Sequence, residues 1–140
     1  MKKLINIAFG YALAGLAAGV FYREFTKVVG FTGETALKAL HPHLLMLGMG
    51  IFLILALFSL HTDVMNHKRF SLFLALYNAG LIWTVTLLAV RGVLQVMGTV
   101  LSKGADAAIS GAAGLGHILL SAGIVFLFIC LRGAKANAVT

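Results

Sequence analysis

Four long apolar stretches, separated by short charged gaps, constrain this chain more than any other feature. They cover residues 4–22, 41–60, 70–90 and 108–131. A membrane-spanning helix needs about 20 mostly apolar residues, so each stretch is long enough to cross a bilayer. Charged residues make up only 11% of the chain, whereas soluble domains contain about 25%. We therefore predict an all-α integral membrane four-helix bundle that forms one domain over residues 1–140.

Four spans place both termini on the same side of the membrane in an up-down-up-down arrangement. The terminal side carries six Lys and Arg residues and the opposite side carries five, which together make the 11 basic residues of the chain. Basic residues concentrate in cytoplasmic loops, so we predict cytoplasmic termini and a multi-pass protein of the cell inner (plasma) membrane. The formal charge of +7 fits contact with the lipid bilayer, and we expect no nucleic-acid binding. The first apolar run continues without a cleavage site, which indicates a retained span.

The polar side chains inside the spans fall on single helix faces. Tyr77 and Arg91 share a face of the third span, because they are separated by a multiple of seven residues. Ser110 and His117 share a face of the fourth span for the same reason. Polar groups in a membrane helix almost always face protein or a cavity. We therefore predict that His117 points into the bundle.

Two histidines, His41 and His43, stand at the head of the second span, and His117 lies alone in the fourth. An imidazole inside a membrane is costly unless it is bound to something. His43 and His117 lie about 26 and 21 Å from the cytoplasmic ends of their parallel spans, at about 1.5 Å per residue. Two imidazoles at one level of a bundle can be the axial ligands of a haem iron. His41 is the rival of His43, because the two point to nearly opposite sides of a regular helix.

A haem also carries two propionates, which require cations. Arg91 and Arg23 lie at the same membrane face as the histidines, and arginine binds carboxylates in a bidentate manner. Tyr22 or Tyr77 could donate a hydrogen bond nearby. The sequence therefore predicts a haem b protein that transfers electrons or senses redox state or gas near the outer face. Quinol or another redox protein would be its partner, a homodimer is left open, and no residue is assigned to catalysis.

Two alternatives to haem remain open at this stage. His41 and His43, with Met46 or Met49 below them, could instead bind copper through imidazole and thioether groups. Alternatively, the chain is a non-catalytic assembly or partner-binding subunit whose histidines only hold helices together.

The start of the second helix is also open. Thr32 could cap a helix that begins near Glu34 and passes through Pro42, which would loosen the helix beside the histidines. Alternatively the helix begins at Pro42, because proline suits a first turn.

The histidine motif resembles a known pattern. The run His41-Pro42-His43-Leu44-Leu45-Met46-Leu47-Gly48 is similar to the His-x-His-Leu-x-x-x-Gly pattern of proteins related to subunit I of haem-copper oxidases and nitric oxide reductases. The whole chain resembles a family of small bacterial four-span membrane proteins. The matching pieces are this motif, residues 19–27 and residues 114–117.

The resemblance to the oxidases implies a low-spin haem near the outer face. Its ligands would be one histidine on the second span and one on a late span. These roles fall on His43 and His117 here, with His41 as the rival. The chain is far too short for the many spans of those enzymes and has no further histidine cluster for copper. The resemblance therefore implies a minimal cytochrome b-like module without a dioxygen-reducing site.

Overall fold

Four long helices make up the part of the chain that the computed structural model describes, residues 1–137. They are α1 (Lys2–Val29), α2 (Ala36–His61), α3 (Phe70–Val96) and α4 (Lys103–Gly133). Each is long and apolar enough to cross a membrane. Within these described residues the only pairing of β type is one isolated bridge between Thr62 and Ala136. The predicted all-α membrane fold is confirmed, and each helix extends beyond its predicted span.

The first half of α2 departs from regular α-helical geometry. Its segments, in order, are a 3-10 turn (Ala36–Ala39), a short α-helical turn (Leu40–Pro42), a π-helix (His43–Gly50) and a regular α-helix (Ile51–His61). Pro42 has no amide hydrogen, so the regular bonding pattern cannot continue through it. The wider π-helical bonding begins at the next residue, and such segments are frequent at functional sites.

The N-terminus of α2 is capped by Thr35, whose hydroxyl accepts a hydrogen bond from the amide of Leu37 at 3.3 Å. The same hydroxyl donates to the carbonyl of Gly92 on α3 at 2.9 Å. The helix therefore passes through Pro42, as one of the two alternatives predicts. The prediction that Thr32 caps this helix is wrong, because the first helical turn begins after Thr35.

Glycines allow α1 and α2 to approach closely. A methyl group on Gly15 would lie 2.7 Å from the Leu45 side chain, and one on Gly19 would lie 3.0 Å from the His41 ring. Gly48 of α2 receives the ring of Tyr11 in the same manner. Small residues at such contacts allow tight packing between helices in lipid, where the hydrophobic effect does not drive association.

The contact between α3 and α4 is also built on glycine. A methyl group on Gly80 would lie 2.8 Å from the Cα atom of Leu120, and one on Gly123 would lie 2.8 Å from the Cα atom of Tyr77. Trp83 adds a hydrogen bond from its indole nitrogen to the carbonyl of Ala112 at 2.8 Å. The backbones of α3 and α4 are therefore in direct contact over several turns.

An aromatic cluster joins α1, α2 and α3. The ring of Phe52 is stacked 5.9 Å from that of Tyr11 and meets Tyr77 edge-on at 5.8 Å. The hydroxyl of the fully buried Tyr77 donates to the carbonyl of Leu47, within the π-helix, at 2.9 Å. This bond supplies a partner for a backbone carbonyl in a stretch where the usual helical pattern is altered.

Both termini lie at the end of the bundle where α2 connects to α3. The N-terminal amine lies 3.2 Å from the sulfur of Met65. The amide of Asn137 donates to the carbonyl of His61 at 2.8 Å. Residues 138–140, which are part of the predicted domain, lie outside the described residues.

The helices are not packed equally on one another. α2 packs on α1 and α3, whereas α4 packs mainly on α3. α2 and α4 therefore flank α3 without an extensive contact between them. We call the surface between them the α2–α4 seam, and its end away from the termini is lined by Ala36, Arg91, Gln95 and Ser110.

Candidate functional site

His41 belongs to the contact between α1 and α2. Its Nδ1 atom lies 2.9 Å from the carbonyl oxygen of Gly15, and its ring packs on Gly19. Because a carbonyl only accepts hydrogen bonds, Nδ1 must be the protonated nitrogen. His41 therefore joins two helices through a bond to the backbone, on the side of α2 that faces α1.

His43 and His117 make a different kind of bond, each to its own helix. The Nδ1 atom of His43 lies 2.7 Å from the carbonyl of Ala39, and that of His117 lies 2.9 Å from the carbonyl of Ala113. Each Nδ1 atom must donate, and in a neutral imidazole that donates through Nδ1 the lone pair is on Nε2. Histidines that bind metals usually donate their other ring hydrogen to a carbonyl or carboxylate, which fixes the tautomer and the ring orientation.

Two polar side chains of α3 bridge the α2–α4 seam at its outer end, which is the end away from the termini. Gln95 accepts a hydrogen bond from the amide of Ala36, at the start of α2, at 2.7 Å. Arg91, one turn earlier, forms an ion pair with Asp106 and donates to the hydroxyl of Ser110 at 3.0 Å, both on α4. One turn of α3 is therefore bonded to both flanking helices.

The same bonds relate the depths of His43 and His117. His43 follows Ala36 by seven residues, and His117 follows Ser110 by seven residues. Seven residues correspond to about two helical turns, or about 10 Å along the axis of an α-helix. His43 and His117 thus lie on the two helices that flank the seam, at similar depth below its polar end.

The prediction that His117 points into the bundle is wrong for the single chain. α4 contacts α3 through Gly116, Leu120 and Gly123, which are buried, whereas His117 is exposed. One residue after Gly116 corresponds to a rotation of about 100° around the helix, which turns His117 away from α3. Gly114, which precedes His117 by three residues, also faces open space. His43 is half-buried.

The other predicted site residues lie on the two helices that contact α2, two of them on α1 and two on α3. The guanidinium of Arg23 is highly exposed and lies 3.7 Å from the carboxylate of Glu24 on α1. Tyr22 is half-buried and packs against the cluster formed by Leu37 and Leu40. Arg91 alone of the two predicted arginines adjoins the α2–α4 seam. Tyr77 is buried with its hydroxyl bonded to Leu47, so it serves the core.

A polar pocket of about 410 Å³ lies at the outer end of the seam. Arg91, Gln95, Lys103 and Asp106 contribute its polar lining. Lys103 and Asp106 were not predicted to be site residues, because they stand in the gap between spans. The sequence did carry a signal for this contact. Arg91 and Asp106 stand on either side of a short connection between two helices, so their side chains can reach each other.

His41 and His43 bond through Nδ1 to different helices, to Gly15 on α1 and to Ala39 on α2. Met46, proposed as a further copper ligand, is 69% exposed. Among residues 1–137 no group of three or more His, Cys, Asp or Glu side chains is arranged to hold a metal ion. The copper alternative stays a prediction.

Comparison with known proteins gives one match. The model of a family described as "Protein of unknown function (DUF2871)" matches residues 1–134, nearly the whole chain. No curated protein and no solved structure matches.

Proposed function

We propose that this chain, which belongs to the DUF2871 family, is a membrane haem b-binding protein of the cytochrome b type. His43 and His117 are the residues that would hold the haem iron. The observation that carries this proposal is the pair of hydrogen bonds from their Nδ1 atoms to the carbonyls of Ala39 and Ala113. These bonds leave both Nε2 atoms free as metal-binding atoms in a membrane helix, where an unbound imidazole is costly.

Two features of the residues along the α2–α4 seam support this proposal. His43 and His117 occur at similar depth on the two helices that flank it, and the space beside Gly114 is free of protein atoms. A flat macrocycle needs free space beside the helix. A side chain larger than that of glycine at residue 114 would fill this space. The exposure of His117 in the single chain is consistent with a ligand that covers it.

Arg91 is the residue best suited to hold the propionates. It lines the polar pocket with Lys103 about two turns from the level of His117, and its side chain is 33% exposed. Asp106 and Ser110 already position the guanidinium. Arg91 and Lys103 would bind the two carboxylates at the outer end of the seam, where Asp106 already balances one of their two positive charges. Arg23 has less support in this role, because it lies on α1 beside Glu24.

A haem held by two imidazoles supplies reversible one-electron transfer and has no open iron position. The chain itself would orient both imidazoles, hold the carboxylates and surround the macrocycle with apolar side chains. We therefore infer an electron carrier or redox sensor rather than an enzyme. The alternatives of a copper site and of a colourless assembly subunit have less support, because neither explains the two matched histidines of the seam.

The absorption spectrum of the purified protein tests this function. We expect protein expressed in haem-supplied cells and purified in mild detergent to show the reduced-minus-oxidised bands of a six-coordinate b-type haem. Iron and haem assays should give equal amounts. A colourless protein, or one with bound copper and no haem, would refute the proposal.

The propionate role of Arg91 gives a second prediction. Replacing Arg91 by Gln should weaken haem retention by about tenfold, because one charge-assisted bond at a partly exposed site is lost. The matched variant Arg23→Gln removes an equal charge from α1 and should retain haem as the wild type does. Retention is measured by transfer of haem to apomyoglobin. Equal loss from both variants would contradict the assignment.

A further inference from the structure

A second cavity, of about 420 Å³, is a groove between α1 and α3. Its lining includes Asn6 of α1 and Leu44 of α2. Gly10 and Ala14 on its rim are exposed, so the groove opens toward the lipid. Its volume falls within the range of about 300–1,000 Å³ that small-molecule sites occupy.

The groove is lined mainly by apolar side chains, and Asn78 and Tyr11 contribute polar groups to it. The hydroxyl of Tyr11 donates to Oδ1 of Asn78 at 2.7 Å, and Nδ2 of Asn78 donates to the carbonyl of Leu74 at 2.7 Å. These two partners fix the orientation of the amide, because a phenol donor faces its oxygen and a carbonyl faces its nitrogen. The carboxamide is therefore held rigidly at a point about 12 Å along α3 from Phe70.

Asn78 has one amide hydrogen left over. An asparagine amide carries two hydrogens, and one of them is bonded to Leu74. The other has no acceptor among residues 1–137. At this depth of a bilayer there is no water to accept it, and an unmet donor in hydrocarbon costs several kcal/mol. A groove that opens to lipid and presents one spare donor fits a ligand that is mostly apolar and carries an acceptor.

We propose that this groove binds the headgroup of a lipid-soluble quinone or quinol. A ring oxygen accepts the spare hydrogen of Asn78, the amide of Asn6 lies near the other end of the ring, and the tail extends into the lipid. The groove reaches Leu44, which is next to His43 in sequence. The role of this ligand as a redox partner rests on the proposed haem function, whereas its binding to the groove does not.

Quinone retention in lipid nanodiscs tests this site. We expect wild-type protein to retain one short-tailed ubiquinone per chain, in a saturable manner, above the amount that empty discs of the same lipid take up. Gly10→Phe should reduce the affinity at least tenfold by filling the groove, since nothing lies within 4 Å of a side chain added at Gly10. Leu16→Phe, a change of similar kind at an exposed position of α1, should bind as the wild type does.

Asn78→Leu should weaken binding about three- to tenfold, the effect of one hydrogen bond. Haem spectra of the same samples separate the two proposals. His43→Ala should lose haem and still bind quinone, whereas Gly10→Phe should keep haem and lose quinone. Retention equal to that of empty discs, or unchanged binding by Gly10→Phe, would overturn the quinone site. Copurification of a phospholipid that Gly10→Phe displaces, with no competition by ubiquinone, would assign the groove to a lipid and overturn it as well.

Discussion

Purified His117→Ala and His43→Ala variants should each be colourless. Each variant removes one of the two proposed haem ligands, and His41, the other histidine at this end of α2, bonds to Gly15 on α1. We expect haem content to fall by more than 90% in each, as measured by the pyridine haemochrome assay on protein of equal purity. Because both side chains hydrogen-bond only to their own helices among the described residues, the apoproteins should keep their helix content by circular dichroism.

The matched control is His41→Ala. This histidine faces α1, so its loss should leave haem content within about a fifth of the wild-type value. Removal of its bond to Gly15 should instead lower stability by about 1 kcal/mol. If His41→Ala abolished haem while His43→Ala retained it, the ligand on α2 would be His41 and the seam would not be the site.

Adding one methyl group at Gly80 should destabilise the contact between α3 and α4. The new methyl would lie 2.8 Å from the Cα atom of Leu120 and still closer to its amide nitrogen. Backbone atoms cannot rotate away, so α3 and α4 must separate. We expect Gly80→Ala to lose about 1–3 kcal/mol of stability, measured by thermal unfolding in detergent, together with the haem.

Gly10→Ala is the matched control, because nothing lies within 4 Å of a methyl group at that position. Alanine is favoured over glycine in a helix by about 0.5–1 kcal/mol, so this variant should be as stable as the wild type or slightly more stable. If the two variants unfolded at the same temperature, the close approach of α3 and α4 would not contribute to stability.

The number of helices and their identity could be predicted from the sequence, because hydropathy and charge decide which stretches enter a membrane. Gly15 and Gly19 are four residues apart, a spacing of small residues that indicates a packing face in a membrane helix, and both contact α2. Arg91, predicted to lie on a face that avoids lipid, bonds to α4. These features depend on local composition and helical periodicity, both of which can be read along the chain.

The direction of His117 could not be predicted in the same manner. A polar stripe indicates that a helix face avoids lipid, but it does not say what covers that face. On α4 the buried face is the glycine face of Gly116 and Gly123, and the polar face lies beside it. The prediction of the α2 cap failed for a related reason. Thr32 and Thr35 are both suitable capping residues, and the hydrogen bond from Thr35 to Gly92 on α3 favours Thr35.

The π-helix of α2 limits which deletions the helix can accept without reorienting its histidines. A π-helical stretch is equivalent to an extra residue within an α-helix, so it sets the rotational phase between the outer half of α2 and its inner half. The outer half holds His41 and His43, and the inner half holds Phe52 in the aromatic cluster. Loss of one residue between them would turn both imidazoles by about 100° while the anchored inner half stayed in place. The number of residues in this π-helical segment therefore determines which neighbouring helix each imidazole faces.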